Sequence, residues 1–301
     1  MNIIDAHAHV VQYIAGFTSK GELRGVGKGK ARYANGDTFQ MFPKSLGDYG
    51  VTAEKLIEVM DLNGVEKAVL LHGQYFGFQN EYTAQAVKKY PDRFVGAGSY
   101  DPFCNKADEV KNHLFKELNF RAVKFELSNG SGLMAYHPPI DLDGEMMNAC
   151  YKYAQDNGLT VVMDIGRPRN CCWQVDALSS AVKKYPEVTF VICHLLAPQR
   201  TDGELLKQAL GKLVQPNVYF DLAALSHNQQ PETYPYPSAV AHLRTAKEVV
   251  GANKLMFGSD MPSTLNRDSY AHLRDYIINS NVITQPELED IFYNTADKIY
   301  F

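Results

Sequence analysis

Eight short runs rich in β-branched and apolar residues recur along the chain, each followed by a longer amphipathic stretch. They fall at 2–8, 67–72, 94–100, 121–126, 159–165, 188–194, 218–222 and 254–258. Several, such as "KAVLLH", "LTVVMDI" and "VTFVICH", are nearly continuous apolar runs. Such runs suit parallel strands buried on both faces. Between them, "TAEKLIEVMDLNG" sets Leu56, Val59, Met60 and Leu62 at helical spacing, with Thr52 placed as an N-cap. "EYTAQAVKKYPDR" and "DALSSAVKKYPEV" repeat one pattern: a helix, a Lys-Lys-Tyr-Pro stop, then a strand. Eight strands alternating with helices predict an α/β fold, a single-domain (β/α)8 TIM barrel. The 301 residues suit one such domain. The competing doubly wound sheet usually carries a glycine-rich turn after its first strand, and "HAHVVQY" has none.

Two stretches break the spacing. Residues 11–50 hold many Gly, Lys and aromatic residues without clear periodicity. They read as a long loop insertion after the first strand, either a lid over the catalytic face or a crossover with no part in turnover. Residues 226–240, with Pro231, Pro235 and Pro237, form a second irregular connection. A net charge of −4 argues against nucleic-acid or membrane partners. The N-terminus lacks the pattern of a signal peptide, and no apolar run approaches the ~18 residues of a membrane span. The odd cysteine count (five) and the absence of zinc-knuckle spacing point to reduced thiols and a cytoplasmic location.

Titratable residues are scarce inside these runs but gather at their C-terminal ends. In "MNIIDAHAHV", alternation places Asp5, His7 and His9 on one face. The second run ends in His72, the fourth carries Lys124 and Glu126, and the fifth ends in Asp164, followed by Arg167 and Arg169. The sixth ends in His194, and the eighth runs into Asp260. A barrel builds its active site at these ends, and imidazole with carboxylate is a ligand set for Zn²⁺, Mn²⁺ or Fe²⁺. Asp5 lies nearer the barrel bottom and is left out of the site. His72, Tyr75, Lys124, Arg167 and Arg169 are candidates to bind a small anionic substrate, most simply a carboxylate. His227, His242 and His272 fall in loop or helix patterns and read as surface residues.

The set "DAHAH", "VICHL" and "LMFGSDMP" resembles the amidohydrolase superfamily, and specifically its amidohydrolase-related branch. That branch includes aminocarboxymuconate-semialdehyde decarboxylase and related decarboxylases, hydratases and lactonases. The resemblance spans the chain, including "KAVLLHGQYFGFQNEYTAQAVKKYPDRFVGAGSYDP" and the tail "NTADKIYF". It implies a distorted barrel with one divalent metal ion, held by His7, His9 and Asp260, with His194 as an acid/base beside it. The branch usually has a third metal-binding histidine after the fifth strand; in "TVVMDIG" that position is Asp164. Three outcomes follow: a site of two His and two Asp, a ligand from Glu126 instead, or a metal-free site like that of some lactonases. Zinc is the first expectation, with manganese or iron as alternatives. The resemblance further implies a hydrolase of a small carboxylate-bearing ester, lactone or amide. Asp260 would deprotonate a metal-bound water and His194 would polarise the carbonyl. Non-oxidative decarboxylation of an unsaturated or aromatic acid is the alternative, and a degenerate barrel that only binds is the third. A homodimer fits the family.

Overall fold

The computed structural model describes residues 1–301. The first barrel strand is β1 (Ile4–Ala8). A meander of β2 (Ala15–Thr18), β3 (Gly21–Gly27), β4 (Lys30–Tyr33) and β5 (Thr38–Gln40) follows. The chain then alternates: α1 (Ala53–Asn63), β6 (Lys67–Leu70), α2 (Asn80–Lys89), β7 (Phe94–Gly98), α3 (Ala107–Asn112), β8 (Ala122–Glu126), α4 (Glu145–Asn157) and β9 (Thr160–Asp164). Next come α5 (Val175–Lys184), β10 (Phe190–Ile192), α6 (Gly203–Lys212), β11 (Val218–Asp221), α7 (Pro237–Val250), β12 (Leu255–Met256) and α8 (Tyr270–Ile278). The short helices α9 (Gln285–Glu289) and α10 (Thr295–Tyr300) end the chain.

Local rules explain the boundaries. The Thr52 hydroxyl accepts from Lys55 N at 3.2 Å and starts α1, and Gly64 in left-handed backbone ends it. Both Lys-Lys-Tyr-Pro segments stop their helices alike. Tyr90 N donates to Ala86 O and Tyr185 N to Ala181 O, and the proline that follows cannot continue the helix.

The eight barrel strands are parallel and ordered β1-β6-β7-β8-β9-β10-β11-β12. The ring closes where β1 meets the segment after β12. Ala6 N donates to Phe257 O (2.9 Å), Asp260 N to His7 O (2.8 Å) and His9 N to Met261 O (3.0 Å). Inside the barrel Ala6, Val69, Ala122, Val162, Val191 and Met256 pack together, while Val123, Phe125, Phe190 and Phe220 face the helices.

One irregularity in β1 re-aims the site. Asp5 pairs with Ala68, but Ala8 pairs with Leu70, so β1 carries one extra residue, a β-bulge. The simple alternation expected for "DAHAH" therefore breaks. Ile4 and Ala6 point inward with Val69, so Asp5 points outward, while His7 and His9 point into the barrel mouth. Fully buried, Asp5 accepts from Ser259 N (2.9 Å), Ser259 Oγ (2.6 Å), Tyr270 OH (2.8 Å) and His7 N (3.2 Å).

Residues 11–50 are not a loop, contrary to expectation. Strands β2–β5 form an antiparallel sheet of their own, closed at its base by the mutual hydrogen bonds of Val11 and Val51. The period of two is present in β3, where Leu23 and Gly25 are buried and Glu22 and Arg24 exposed. Glycines at 21, 25, 27 and 29 punctuate it and hide the alternation. Ala15 N donates to Phe76 O, Phe17 N to Gln74 O and Ser19 N to Gly130 O, so the meander is pinned to the loops after β6 and β8. No helix is long and apolar enough to cross a membrane.

Asp5→Ala should orphan the Ser259 and Tyr270 donors inside the β1–β12 seam. The expected cost is on the order of 3 kcal/mol, read as a lower midpoint in thermal or urea unfolding. Asp5→Glu, which keeps the charge, should lose less.

Candidate functional site

At the C-terminal ends of the barrel strands lies a pocket of about 390 Å³. His7 and His9 reach it because the bulge turns them inward. His7 Nδ1 contacts the Asp221 carboxylate at 3.0 Å and His9 Nδ1 contacts Leu71 O at 2.6 Å. Each contact puts the proton on Nδ1 and leaves an Nε2 lone pair facing the pocket. His9 Nε2 lies 3.0 Å from Asp260 Oδ1, and His7 Nε2 lies 3.6 Å from the same oxygen. A lone pair against a carboxylate oxygen at that distance is repulsive unless a proton or a metal ion is shared between them.

Backbone strain places two of these groups. Asp260 has φ +55°, and His194 begins a run of positive φ through Leu195, Leu196 and Ala197. Non-glycine residues avoid this region at about 1–2 kcal/mol each, and they persist there where surrounding contacts over-determine them. Asp221 is the anchor: its buried carboxylate accepts from His194 N (2.8 Å) and Ala223 N (3.1 Å) besides meeting His7. No motif in the sequence singled out Asp221; its place as the inward-facing last residue of β11 was the available signal. Gly258 is also required. A Cβ there would lie 2.8 Å from the His7 Cβ and 3.0 Å from that of Ala223.

The electrostatics are sharply uneven. Burial raises Asp260, but its contact with His9 and the nearby His194 and His7 outweigh it and hold the carboxyl well below its ordinary range. Burial lowers His194, but Asp164, Asp260 and Asp221 outweigh it and the net shift is upward. Burial and then Lys124 keep His7 neutral. Glu126 is pushed up to about 7 by burial and by the neighbouring Asp164.

The structure brings most of the expected residues together. His9, Tyr75, Lys124, Glu126, Asp164, Arg167, His194 and Asp260 line the pocket, and His7 lies just beneath. His7, His194 and Asp260 form the tight trio, with one donor atom of each within 4.8 Å of the others; His9 joins through Asp260. Asp164 reaches only His194, at 3.7 Å, and Glu126 is turned to the Ser131 hydroxyl at 2.9 Å. Two expected substrate contacts lie elsewhere. His72 is sealed beneath the pocket, with burial lowering it to about 3. Arg169 is committed to the buried carboxylate of Asp202 at 2.5 Å. Two expected surface histidines are also corrected. His227 lines the pocket, and His242 is buried with Nε2 on Gln199 O.

His7 Nε2 and His9 Nε2 lie 3.6 and 3.0 Å from Asp260 Oδ1, near the separation of about 3.3 Å between two ligands of one tetrahedral zinc. The three donors that converge on one point are those of His7, His194 and Asp260. One group opposes an ion there. Lys124 donates from Nζ to His7 Nε2 at 3.2 Å, using the lone pair an ion would need.

A (β/α)8 barrel whose histidines and carboxylates converge at the strand ends defines a class of enzyme. Over residues 4–301 the sequence matches the family model described as amidohydrolase, and the chain belongs to that family. It is an enzyme of this family. A probable 2-pyrone-4,6-dicarboxylic acid hydrolase from Acinetobacter baumannii is similar in fold: TM-score 0.74, 19% identity, 99% of each chain covered. An amidohydrolase from Burkholderia multivorans with bound zinc gives 0.73 and 17%, over 100% of this chain and 99% of the other. The 5-carboxyvanillate decarboxylase of Sphingomonas paucimobilis gives 0.57 and 15%, over 81% of each chain. No curated protein matches in sequence.

Removing the Lys124 ammonium should relieve repulsion toward an ion. Lys124→Met should bind Zn²⁺ about 10- to 100-fold more tightly than the wild type, measured by calorimetry on chelator-stripped protein. Equal or weaker binding would show that Lys124 does not compete.

The Glu126 shift makes a stability prediction. Its folded value of about 7 lies above the ordinary 4.5, so its contribution is fully present below pH 4.5 and is lost as pH rises through 7. Glu126→Gln removes that loss. Its stability relative to the wild type should rise between pH 4.5 and 8 by on the order of 2 kcal/mol, measured by paired unfolding curves.

Proposed function

We propose that the enzyme hydrolyses a small carboxylate-bearing ester, lactone or amide, with Asp260 as the base that activates water. The observation that carries this reading is the asymmetry of Asp260. Its Oδ1 faces His9 Nε2 at 3.0 Å, while its Oδ2 has no partner and the residue lines the pocket. That free oxygen can take a proton from a water in the pocket.

A carboxylate held this far down is a weak base on its own. A divalent ion held by His7, His9 and Asp260, zinc first, would supply a water of lowered pKa. His194 faces the same space. Its Nδ1 meets Ala223 O at 3.0 Å, leaving Nε2 toward the pocket, and three carboxylates favour its protonated form. It would donate to the carbonyl oxygen as negative charge develops there. Lys124, deep in the pocket, and Arg167, at the rim, are the cations placed to meet a substrate carboxylate. The meander β2–β5 covers the loop that carries Tyr75, and we assign it the role of a lid.

Purified wild type should consume base in a pH-stat when given esters, lactones or N-acyl amino acids. Asp260→Asn should lower kcat by about 10³-fold with an unchanged melting temperature. Release of carbon dioxide from aromatic carboxylates, without hydrolysis of any of the three classes, would assign decarboxylation instead.

A further inference from the structure

A second cavity, of about 540 Å³, opens at the foot of the barrel, where β7 and β8 begin. It is larger than the pocket at the mouth and shares no residue with it. It exists because two strands part. β7 pairs with β6 along Phe94, Val95 and Gly96, but with β8 only through Ala97 and Gly98. The N-terminal half of β7 therefore has no strand on its β8 side. β1, β8 and β11 are buried along their whole length, whereas Val95 and Gly96 are only half-buried. The helical layer leaves the gap open. α2 stands on one side of it, and the chain from Glu117 to Arg121 on the other. Asn119, in left-handed backbone at φ +58°, turns that chain into β8.

The lining is mainly apolar, with Ala84, Val87, Val95, Leu118, Phe120 and Ile299. All but Phe120 are half-buried. Single exposed apolar residues need no explanation, but five around one concavity make the kind of surface that ligand sites have. The rim carries four charged residues: Glu81, Lys88, Glu117 and Arg121. Both carboxylates are taken up by His113, which meets Glu81 Oε1 at 2.5 Å and Glu117 Oε2 at 2.7 Å and is held toward its protonated form by them. The nearby lysines are also engaged, Lys89 by Glu54, Lys111 by Asp108 and Lys116 by Asn157. Lys88 and Arg121 pair with no carboxylate and donate no side-chain hydrogen bond. An apolar cleft thus faces two uncommitted cations, one on each side.

We propose that this cleft binds a free amphiphilic carboxylate, an acid with a short apolar tail. The tail lies in the gap between β7 and β8, against Val95, Leu118 and Ile299, where burial of apolar surface favours it. The acid head meets Lys88 and Arg121 at the rim. A neutral head gains nothing from the two cations, and a cationic head is repelled by both. The site stands apart from the catalytic pocket and does not depend on the hydrolase reading.

The test is calorimetric titration of the purified protein with decanoate, decanol and decyltrimethylammonium, each below its micellar concentration. Decanoate should bind about tenfold more tightly than decanol, and decyltrimethylammonium more weakly than either. Lys88→Gln combined with Arg121→Gln, both at exposed positions, should lower decanoate affinity about tenfold and leave decanol unchanged. Ala84→Trp, which fills the cleft, should abolish binding of both, with the melting temperature confirming a folded variant. Equal affinity for the three probes overturns the proposal, as does the absence of decanoate binding. Decanoate affinity unchanged in the double variant and in Ala84→Trp also overturns it, and places the acid elsewhere. A wild-type dimer that Ala84→Trp converts to monomer in sedimentation assigns the cleft to a second copy of the chain instead.

Discussion

The buried Asp5 carboxylate is the contact on which the rest depends. A parallel barrel needs its first and last strands to meet, and β12 is only two residues long. Asp5 makes up for that shortness by gripping Ser259 and Tyr270, so the segment after β12 lies along β1. Burial raises its carboxyl to about 6, a cost that the hydrogen bonds from Ser259, Tyr270 and His7 offset in part. Held in place by that grip, Asp260 N reaches His7 O, and the Asp260 side chain arrives beside His9. The bulge between Asp5 and Ala8 then serves two ends in one strand: an outward carboxylate that closes the barrel, and two inward imidazoles that build the site.

The same economy appears at β11. Asp221 is the inward-facing last residue of its strand, and it restrains both a side chain and a turn. By accepting from His194 N it fixes the entry to four successive residues of left-handed backbone. Strain of that kind persists only where contacts outside the turn impose it. The result is an imidazole aimed across the pocket from a position that an ordinary strand end would not reach.

Much of this was legible in the sequence, and what was not has physical causes. The barrel was legible because strands buried on both faces leave continuous apolar runs, as in "VTFVICH". The strand-end residues were legible because charge is costly inside such runs and so marks a site. The direction of Asp5 was not, since a bulge adds one residue without altering composition. The meander was not, because β4 and β5 are only four and three residues long and glycines interrupt β3. Asp221 stayed hidden because its partners, His7 and the His194 amide, are distant in sequence. Arg169 was misjudged for the reason that defeats most rim predictions: proximity to a strand end says nothing about a carboxylate such as Asp202 waiting in the next loop.

Charge balance explains why a lysine stands among imidazoles. Glu126 and Asp164 from two strands and Asp260 from the segment after β12 enter one small cavity, and none has a close arginine or lysine partner of its own. Burying three like charges without compensation would drive protons onto them, and Glu126 already moves that way. Lys124, one turn of the pleat below Glu126, supplies a fixed positive charge within the field of all three. The acids in turn hold that ammonium charged against its own burial. Lys124 lowers Glu126 against its burial, and the acids offset the burial of Lys124. Any cation that enters the pocket must therefore approach against the Lys124 ammonium, which already donates to His7 Nε2.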